Sequence, residues 1–168
     1  MVVAVVYHAI DSIGGPDAVR ERYGAWGFAV SFVAHWVLNL TPLGGFVPTA
    51  AANGALWGFW IGALVSWAGW FAASLTQYLL VRWVTGEAEV SEIRAQLPEW
   101  LGRLPVEHPL FQIGGRSLPW VGLHVVSVSA ALADIPLGRF LAYAALGQTG
   151  PALAMAALGS GLVTLMGA

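Results

Sequence analysis

The chain has 168 residues, of which 58% are hydrophobic and only 10% are charged, with a net charge of −2 and a mean hydropathy of +0.71. Soluble domains average about 25% charged residues, so the composition excludes an ordinary soluble domain and indicates a one-domain integral membrane protein. The absence of cysteine excludes disulfides and thiolate metal sites, and the weak negative charge offers no basic surface to nucleic acid.

Residues 1–24 are predicted to be an N-terminal segment and connector. Five charges and a Gly-Gly-Pro breaker lie in residues 11–24, which favours a solvated connector with a short helix from Pro16. No charged residue occurs from Tyr23 to Val81, although a spanning helix needs only about 20 apolar residues. We therefore assign residues 25–168 to a single membrane domain.

The first part of that domain, residues 25–84, is predicted to contain a re-entrant hairpin and a transmembrane helix. Its apolar arm, residues 25–40, is followed by a segment that cannot continue a helix because it contains Pro42, Gly44, Gly45 and Pro48. Apolar sequence resumes at once, whereas a surface loop normally carries charges. A hairpin with its tip inside the membrane is favoured, and two ordinary spans joined by an apolar loop are the alternative.

Residues 54–84 are predicted to form one long helix. Small residues recur every four positions at its start, and this spacing lets another helix backbone approach closely: Gly54, Gly58, Gly62 and Ser66. Packing within the chain is favoured over a dimerisation face, and association into a homo-oligomer is the alternative. Trp60 and Trp83, about 34 Å apart along a helix, are predicted to be aromatic anchors near the two interfaces.

Residues 85–108 are predicted to be an amphipathic segment lying in the membrane interface. Apolar residues recur at helical spacing from Val90 to Leu104, with Glu and Arg on the opposite face. A soluble linker would not explain that apolar stripe.

Residues 109–168 repeat the pattern of the first part. A short apolar arm leads to a break at Gly114, Gly115 and Pro119, and a return arm leads to a final helix, for which Asp134 is the predicted N-cap. If each half crosses the bilayer once, the second is inverted relative to the first. The sequence therefore predicts an all-α integral membrane fold with two re-entrant helical hairpins and transmembrane helices in a weak inverted repeat.

Arg116 is the only charged residue between Glu107 and Asp134. An arginine at membrane depth costs at least about 2.5–3.5 kcal/mol, so it persists only beside water, a counter-charge or backbone carbonyls. Two compatible roles stay open. The planar guanidinium could bind a lipid phosphate, or it could satisfy carbonyls left open by the broken helix.

Three polar residues near the first tip, Asn39, Thr49 and Asn53, complete the candidate substrate-binding set with Arg116 and with Pro119, which is predicted to keep the second helix broken. For the asparagines, hydrogen bonding within the packed protein is the alternative, because a buried amide must find a partner. No histidine has metal-ligand spacing, and neither a phosphate loop nor a nucleophile with a paired base is present. No metal, no cofactor and no enzymatic activity are therefore expected.

Two segments of the chain resemble the VTT-domain proteins of the DedA superfamily, also called the SNARE-associated Golgi protein family. The stronger segment runs from Arg116-Ser-Leu-Pro119 through Ile135-Pro136 and Phe140 to Gly147 and Pro151, and the weaker runs from Pro42 to Pro48 with Asn53-Gly54. The resemblance implies two re-entrant helices that face each other from opposite leaflets. It also implies movement of phospholipid or polyprenyl-phosphate headgroups between leaflets, with membrane lipids as partners.

The chain departs from the DedA proteins proper in two places. The first tip lacks the acidic residues implicated in ion coupling, and Leu110 stands where many members carry a second arginine. The chain is therefore more similar to the broader VTT type, in a bacterial or archaeal plasma membrane. A non-transporting scaffold for envelope homeostasis and a transporter of small solutes or ions are the alternative functions.

Overall fold

The computed structural model describes residues 14–41, 46–85, 105–118 and 122–165, together with His8 and Ser12. Within these ranges it contains helices and no strand, which confirms the predicted all-α class. The helices are α1 (Gly15–Leu38), α2 (Phe46–Val84), α3 (Pro109–Gly114) with a 3-10 turn (Gly115–Ser117), α4 (Gly122–Leu132) and α5 (Leu137–Leu165). Most of the predicted interfacial segment, with Pro42, Gly44, Gly45 and Pro119, lies outside the described residues.

Two helical stretches are long and apolar enough to cross a membrane, Pro48–Val84 and Leu137–Gly161. The outer surface is also apolar, and it includes large side chains that a soluble protein would bury. Trp26, Trp60 and Trp83 are 79%, 75% and 82% exposed. Lipid would cover this surface, and indole rings favour the interface between lipid and water.

The first hairpin consists of residues 25–57. It begins at a bend in α1, where Gly24 adopts a φ of 48° that only glycine tolerates easily. The chain reverses between Leu38 and Phe46, and the two arms then pack side by side. Trp57 at the end of the second arm contacts Phe28 with ring centroids 4.1 Å apart and donates a hydrogen bond to Ser31 Oγ at 2.9 Å.

The prediction of one uninterrupted helix over residues 54–84 is wrong. Gly58 has φ 76° and ψ 176°, so α2 is divided into the second arm of the first hairpin and a long arm, residues 59–84. The chain folds back there: Gly62 lies against the backbone of Asn53 and Gly54, and Asn53 Nδ2 donates to Ser66 Oγ at 3.0 Å. Part of the small-residue row therefore packs against itself, because glycine at 58 permits the reversal.

Helix α5 runs antiparallel to the long arm of α2. Trp67 Nε1 donates to the carbonyl of Ala145 at 3.0 Å, and nearer the other end Tyr78 stacks on Phe140 with centroids 4.4 Å apart. The start of α2 also packs closely on α5, since Gly54 lies against the backbone of Ala156. Small residues make this close approach possible, as the prediction of packing within the chain required.

The second hairpin consists of residues 109–132. Gly114 and Gly115 keep right-handed helical dihedrals, so the chain reverses after Ser117 and not at the glycines. The arms touch where Gly122 lies against the carbonyl of Gly115. Gly114 is exposed, and a Cβ placed there would have no neighbouring atom within 4 Å.

Asp134 ends helix α4 and does not cap α5, so the predicted N-cap is wrong. Its φ is 57°, its amide donates to Ala131 O at 3.2 Å, and the amide of Ile135 donates to Ala130 O at 3.1 Å. These two bonds form a Schellman motif, in which the residue after a helix adopts a left-handed conformation. The Asp134 carboxylate pairs with Arg82 instead, and α5 begins after Pro136.

Both hairpins reverse beside the middle of the long arm. The first hairpin packs on its beginning through Asn53 and Ser66, whereas the base of the second packs on its end, where Tyr78 donates to Ile135 O at 2.6 Å. The two reversals therefore approach residues 70–77 from opposite ends of one helix.

Candidate functional site

The long arm of α2 carries a row of polar groups on one face. Ser66, Trp70, Ser74 and Gln77 recur at intervals of four, four and three residues, so a helix places them above one another. All four are buried. A polar group buried in apolar surroundings is costly unless it is hydrogen-bonded, and each member of this row bonds to another part of the fold.

Arg116 lies against this row and is only 1% exposed. Its Nη1 donates to Ser74 Oγ at 3.1 Å and to Ser127 Oγ at 3.2 Å, so it connects the long arm to α4. The guanidinium carbon lies 5.1 Å from the centroid of the Phe140 ring, within the range of a cation–π contact. Both acceptors are side-chain hydroxyl groups, so neither of these hydrogen bonds satisfies a backbone carbonyl, as one of the two predicted roles of Arg116 required.

Two nitrogen atoms of Arg116 make no hydrogen bond to the residues that the structure describes. Its Nε and Nη2 are buried and have no hydrogen-bond partner within the described part of the chain. No carboxylate pairs with it there either: the described ion pairs are Arg20–Asp17 and Arg82–Asp134, both with exposed side chains. Arg116 is thus a buried cation held by hydroxyl groups and a ring face, with spare N–H groups for an anionic acceptor.

Gln148 completes what we call the arginine cluster: Arg116, Ser74, Ser127 and Gln148. Its Nε2 donates to Ser74 Oγ at 2.7 Å, while its Oε1 has no partner among the described residues. The neighbouring Gly147 lets the second hairpin approach, because a Cβ there would lie 2.9 Å from Arg116 Cδ and 2.8 Å from Ile113 O. Gly147 belongs to the motif that carried the family resemblance, and close packing on Arg116 explains the need for glycine.

A second group of polar contacts, the tip junction, joins the two hairpins and consists of Asn39, Leu40, Gln77 and His124. Asn39 is 1% exposed and its Oδ1 accepts a hydrogen bond from Trp70 Nε1 at 3.1 Å. Gln77 Nε2 donates to the carbonyls of Asn39 and Leu40, each at 3.2 Å, and lies 2.6 Å from His124 Nδ1.

The structure divides the predicted substrate-binding residues among different places. Arg116 lies in the arginine cluster and Asn39 in the tip junction, and both groups contact the long arm. Asn53 is bonded to Ser66, two helical turns, or about 12 Å, before Ser74 along that arm. Thr49 and Pro48 are half-buried near the start of α2, so Pro48 lies within the helix and not in the break before it.

Residues that sequence reasoning missed supply most of the contacts around Arg116 and Asn39. They are Ser74, Gln77, Ser127 and Gln148, all buried. Gln112 is a further buried polar residue that the sequence did not single out, and its Nε2 donates to Val106 O at 2.8 Å. A signal for two of them existed in the sequence, because Ser66, Ser74 and Gln77 recur at helical spacing in an otherwise apolar helix. Gln112 and Gln148 had no such periodic signal.

Among the described residues, no group of His, Cys, Asp or Glu side chains could hold a metal ion. What the arrangement offers is a set of hydrogen-bond donors and one positive charge, enclosed by apolar helices. Such a set can bind and neutralise an anion.

Comparison with known proteins gives one match. The family model described as the VTT domain matches residues 41–161. No curated protein and no solved structure matches the chain.

Proposed function

Because the chain belongs to the VTT-domain family, a family of membrane proteins, we propose that it moves phosphate-bearing lipid headgroups between the two leaflets. The substrate is a phospholipid or a polyprenyl phosphate, and the protein is a multi-pass component of a bacterial or archaeal plasma membrane. The headgroup would pass through the protein while the lipid tails stay in the bilayer. No covalent step is needed, so the protein acts as a transporter and not as an enzyme.

The observation that carries this proposal is the state of Arg116. A buried arginine whose only purpose is structural would be expected to use its donors within the protein, or to be paired with a carboxylate. Here Nε and Nη2 are unsatisfied within the described residues. Two phosphate oxygens are the acceptors that a guanidinium binds in a bidentate manner, and a lipid headgroup supplies them.

The placement of the two hairpins supports the same function. We interpret them as re-entrant, each entering and leaving the membrane on one side, with the two halves in an inverted arrangement. Their reversals lie beside the middle of the long arm, which has about 39 Å of helix. Polar groups at mid-depth are tolerated where the broken backbone lines a path or is buried in protein.

Arg116 is almost completely enclosed in the described arrangement. Passage of a headgroup therefore requires the hairpins to separate from the long arm. That separation would break buried hydrogen bonds of Asn39 and Arg116 and open the apolar contacts of Leu40 and Leu123.

The direct test measures transfer of a fluorescent phospholipid across vesicles that contain the purified protein. We expect Arg116→Gln to reduce the transfer rate by tenfold or more, since loss of a charge-assisted hydrogen bond costs about 1.5–3 kcal/mol. Arg82→Gln is the matched control, because Arg82 is exposed and pairs with Asp134 at the end of the helix. Monodispersity in detergent checks that both variants fold.

The outcomes separate the candidate functions. Transfer by the unmodified protein that Arg116→Gln abolishes supports the proposal. Absence of lipid transfer by the unmodified protein contradicts it and leaves a scaffold, or a solute transporter if ion flux is seen instead. If the Arg116→Gln variant transferred lipid as fast as the Arg82→Gln control, Arg116 would have no role in lipid transfer.

A further inference from the structure

The side chain of Gln77 contacts both hairpins. It projects from the long arm, and its single Nε2 lies within hydrogen-bond distance of the Asn39 and Leu40 carbonyls of the first hairpin and of His124 Nδ1 of the second. Gln77 is 8% exposed. Removing this side chain would leave buried backbone carbonyls of the first hairpin without these donors.

The surroundings of Gln77 fix the orientation of its amide. Oxygen and nitrogen of a glutamine are assigned from their hydrogen bonds. The two carbonyls can only accept, so the group facing them must be the NH2 group, which is the orientation in the structure. The amide oxygen points elsewhere and has no partner among the described residues.

That orientation also fixes the state of His124. Because Gln77 presents an N–H, His124 Nδ1 must be an unprotonated acceptor, and the ring is neutral with its proton on Nε2. Protonation of His124 would place an N–H against the amide N–H at a separation of 2.6 Å. Two donors cannot bond to each other, so a charged His124 and this Gln77 contact exclude each other.

We propose that Gln77 and His124 form a latch that holds the two hairpin tips closed, and that a proton on His124 releases it. The inference rests on the proposed function, since release of the latch is the opening through which a headgroup would reach Arg116. Gln77 is thus a positioning residue for lipid passage, and lipid transfer becomes faster at low pH.

Few charged or titratable groups surround the latch. On the second hairpin, Arg116 bonds to Ser127, one turn after His124. On α1, His35 precedes Asn39 by one turn, and its ring centroid lies 5.2 Å from that of Trp70 with the two ring planes tilted by 52°. On the long arm, Tyr78 is engaged with Ile135 O. The described acidic residues are exposed at the ends of the helices: Asp17, Glu21, Glu107 and Asp134. None of them is a bonded counter-charge for a protonated His124.

The experiment measures the separation of the tips directly. The chain contains no cysteine, so Thr41→Cys and Leu118→Cys place two spin labels at exposed positions beside the two reversals without removing native thiols. Electron–electron distance measurements in nanodiscs at about pH 8 and about pH 5 span the range in which a histidine changes charge. We expect a longer, broader distance distribution at low pH.

Matched variants identify the group responsible. In His124→Asn the amide oxygen takes the place of Nδ1 as an acceptor but cannot be protonated, so the tips should stay closed at both pH values. Gln77→Leu should open them at both. His108→Asn is the control for loss of a histidine outside the latch, because His108 is exposed and its Nδ1 accepts from Leu110 N. It should respond to pH as the unmodified protein does.

Lipid transfer supplies the second measurement. Loss of one hydrogen bond corresponds to about a fivefold change in the population of the open form, so we expect transfer to be about fivefold faster at low pH and insensitive to pH in His124→Asn. Tip distances that do not change with pH, or that change equally in His124→Asn, would overturn the latch. Distances that respond while no lipid moves would uphold the latch and refute the proposed function.

Discussion

The contact between α2 and α5 predicts opposite effects for the same substitution at two glycines of one helix. A Cβ at Gly159 would overlap the carbonyl oxygen of Ala51 and lie 2.8 Å from its carbonyl carbon and 3.0 Å from Ala55 N. At Gly161, a Cβ would meet nothing within 4 Å. Gly159→Ala and Gly161→Ala therefore differ in their expected effect on stability, although each adds one methyl group to α5.

The size of the difference follows from the geometry. Carbon atoms in contact lie about 3.5–4.0 Å apart, so the two backbones must separate by about 1 Å to admit the methyl group at Gly159. Overpacking of this kind costs about 1–3 kcal/mol. Replacing glycine by alanine within a helix returns about 0.5–1 kcal/mol at either position. That gain cancels between the variants, so Gly161→Ala should be the more stable by about 1–3 kcal/mol.

The free energy of unfolding in mixed detergent micelles, followed by tryptophan fluorescence, measures this difference. The nine tryptophans give an ample signal. We expect Gly161→Ala to match or exceed the unmodified protein and Gly159→Ala to fall below it. If Gly159→Ala proved as stable as Gly161→Ala, the close approach of α2 and α5 would not be a constraint on the fold.

Two further predictions concern the ends of the helices. Arg20 donates from Nε to the carbonyl of Leu56, just before the reversal at Gly58. Arg20→Gln should therefore lower the free energy of unfolding by about 0.5–1.5 kcal/mol. Arg22→Gln is the control and should have little effect. Asp134→Asn keeps a residue that tolerates the left-handed conformation but loses the ion pair with Arg82. It should lower the free energy of unfolding by less than about 1 kcal/mol, and this difference should shrink at high salt. A larger loss that does not depend on salt would argue against an exposed ion pair.

The sequence was sufficient to identify Arg116 and Asn39 as residues of the interior. An isolated charge in an apolar segment and an amide before a Gly/Pro break are visible without knowledge of the fold. The pairing itself was not visible, because periodicity marks Ser74 as a member of a polar row but does not show that Arg116 bonds to it and to Ser127. Hydrogen-bond partners distant in sequence are a tertiary property, which periodicity does not report.

The error at Gly58 has a different cause. Glycines at intervals of four predict a packing face on a continuous helix, and the same glycines permit a reversal when one of them adopts a positive φ. Gly58 lies in that row with no proline or polar residue to distinguish it from Gly54 and Gly62. A similar ambiguity affected Asp134, since aspartate is favoured as an N-cap and also tolerates the left-handed conformation that ends a helix.

The polar row on the long arm has a consequence for the thickness of the apolar barrier. From Ser66 to Gln77 the helix rises about 16 Å, roughly half of a hydrocarbon core of about 30 Å. A charged group that follows this row would meet hydrogen-bonding partners through the central half of the bilayer. Only about 7 Å of hydrocarbon would then separate it from water on either side, a distance comparable to the length of an arginine side chain.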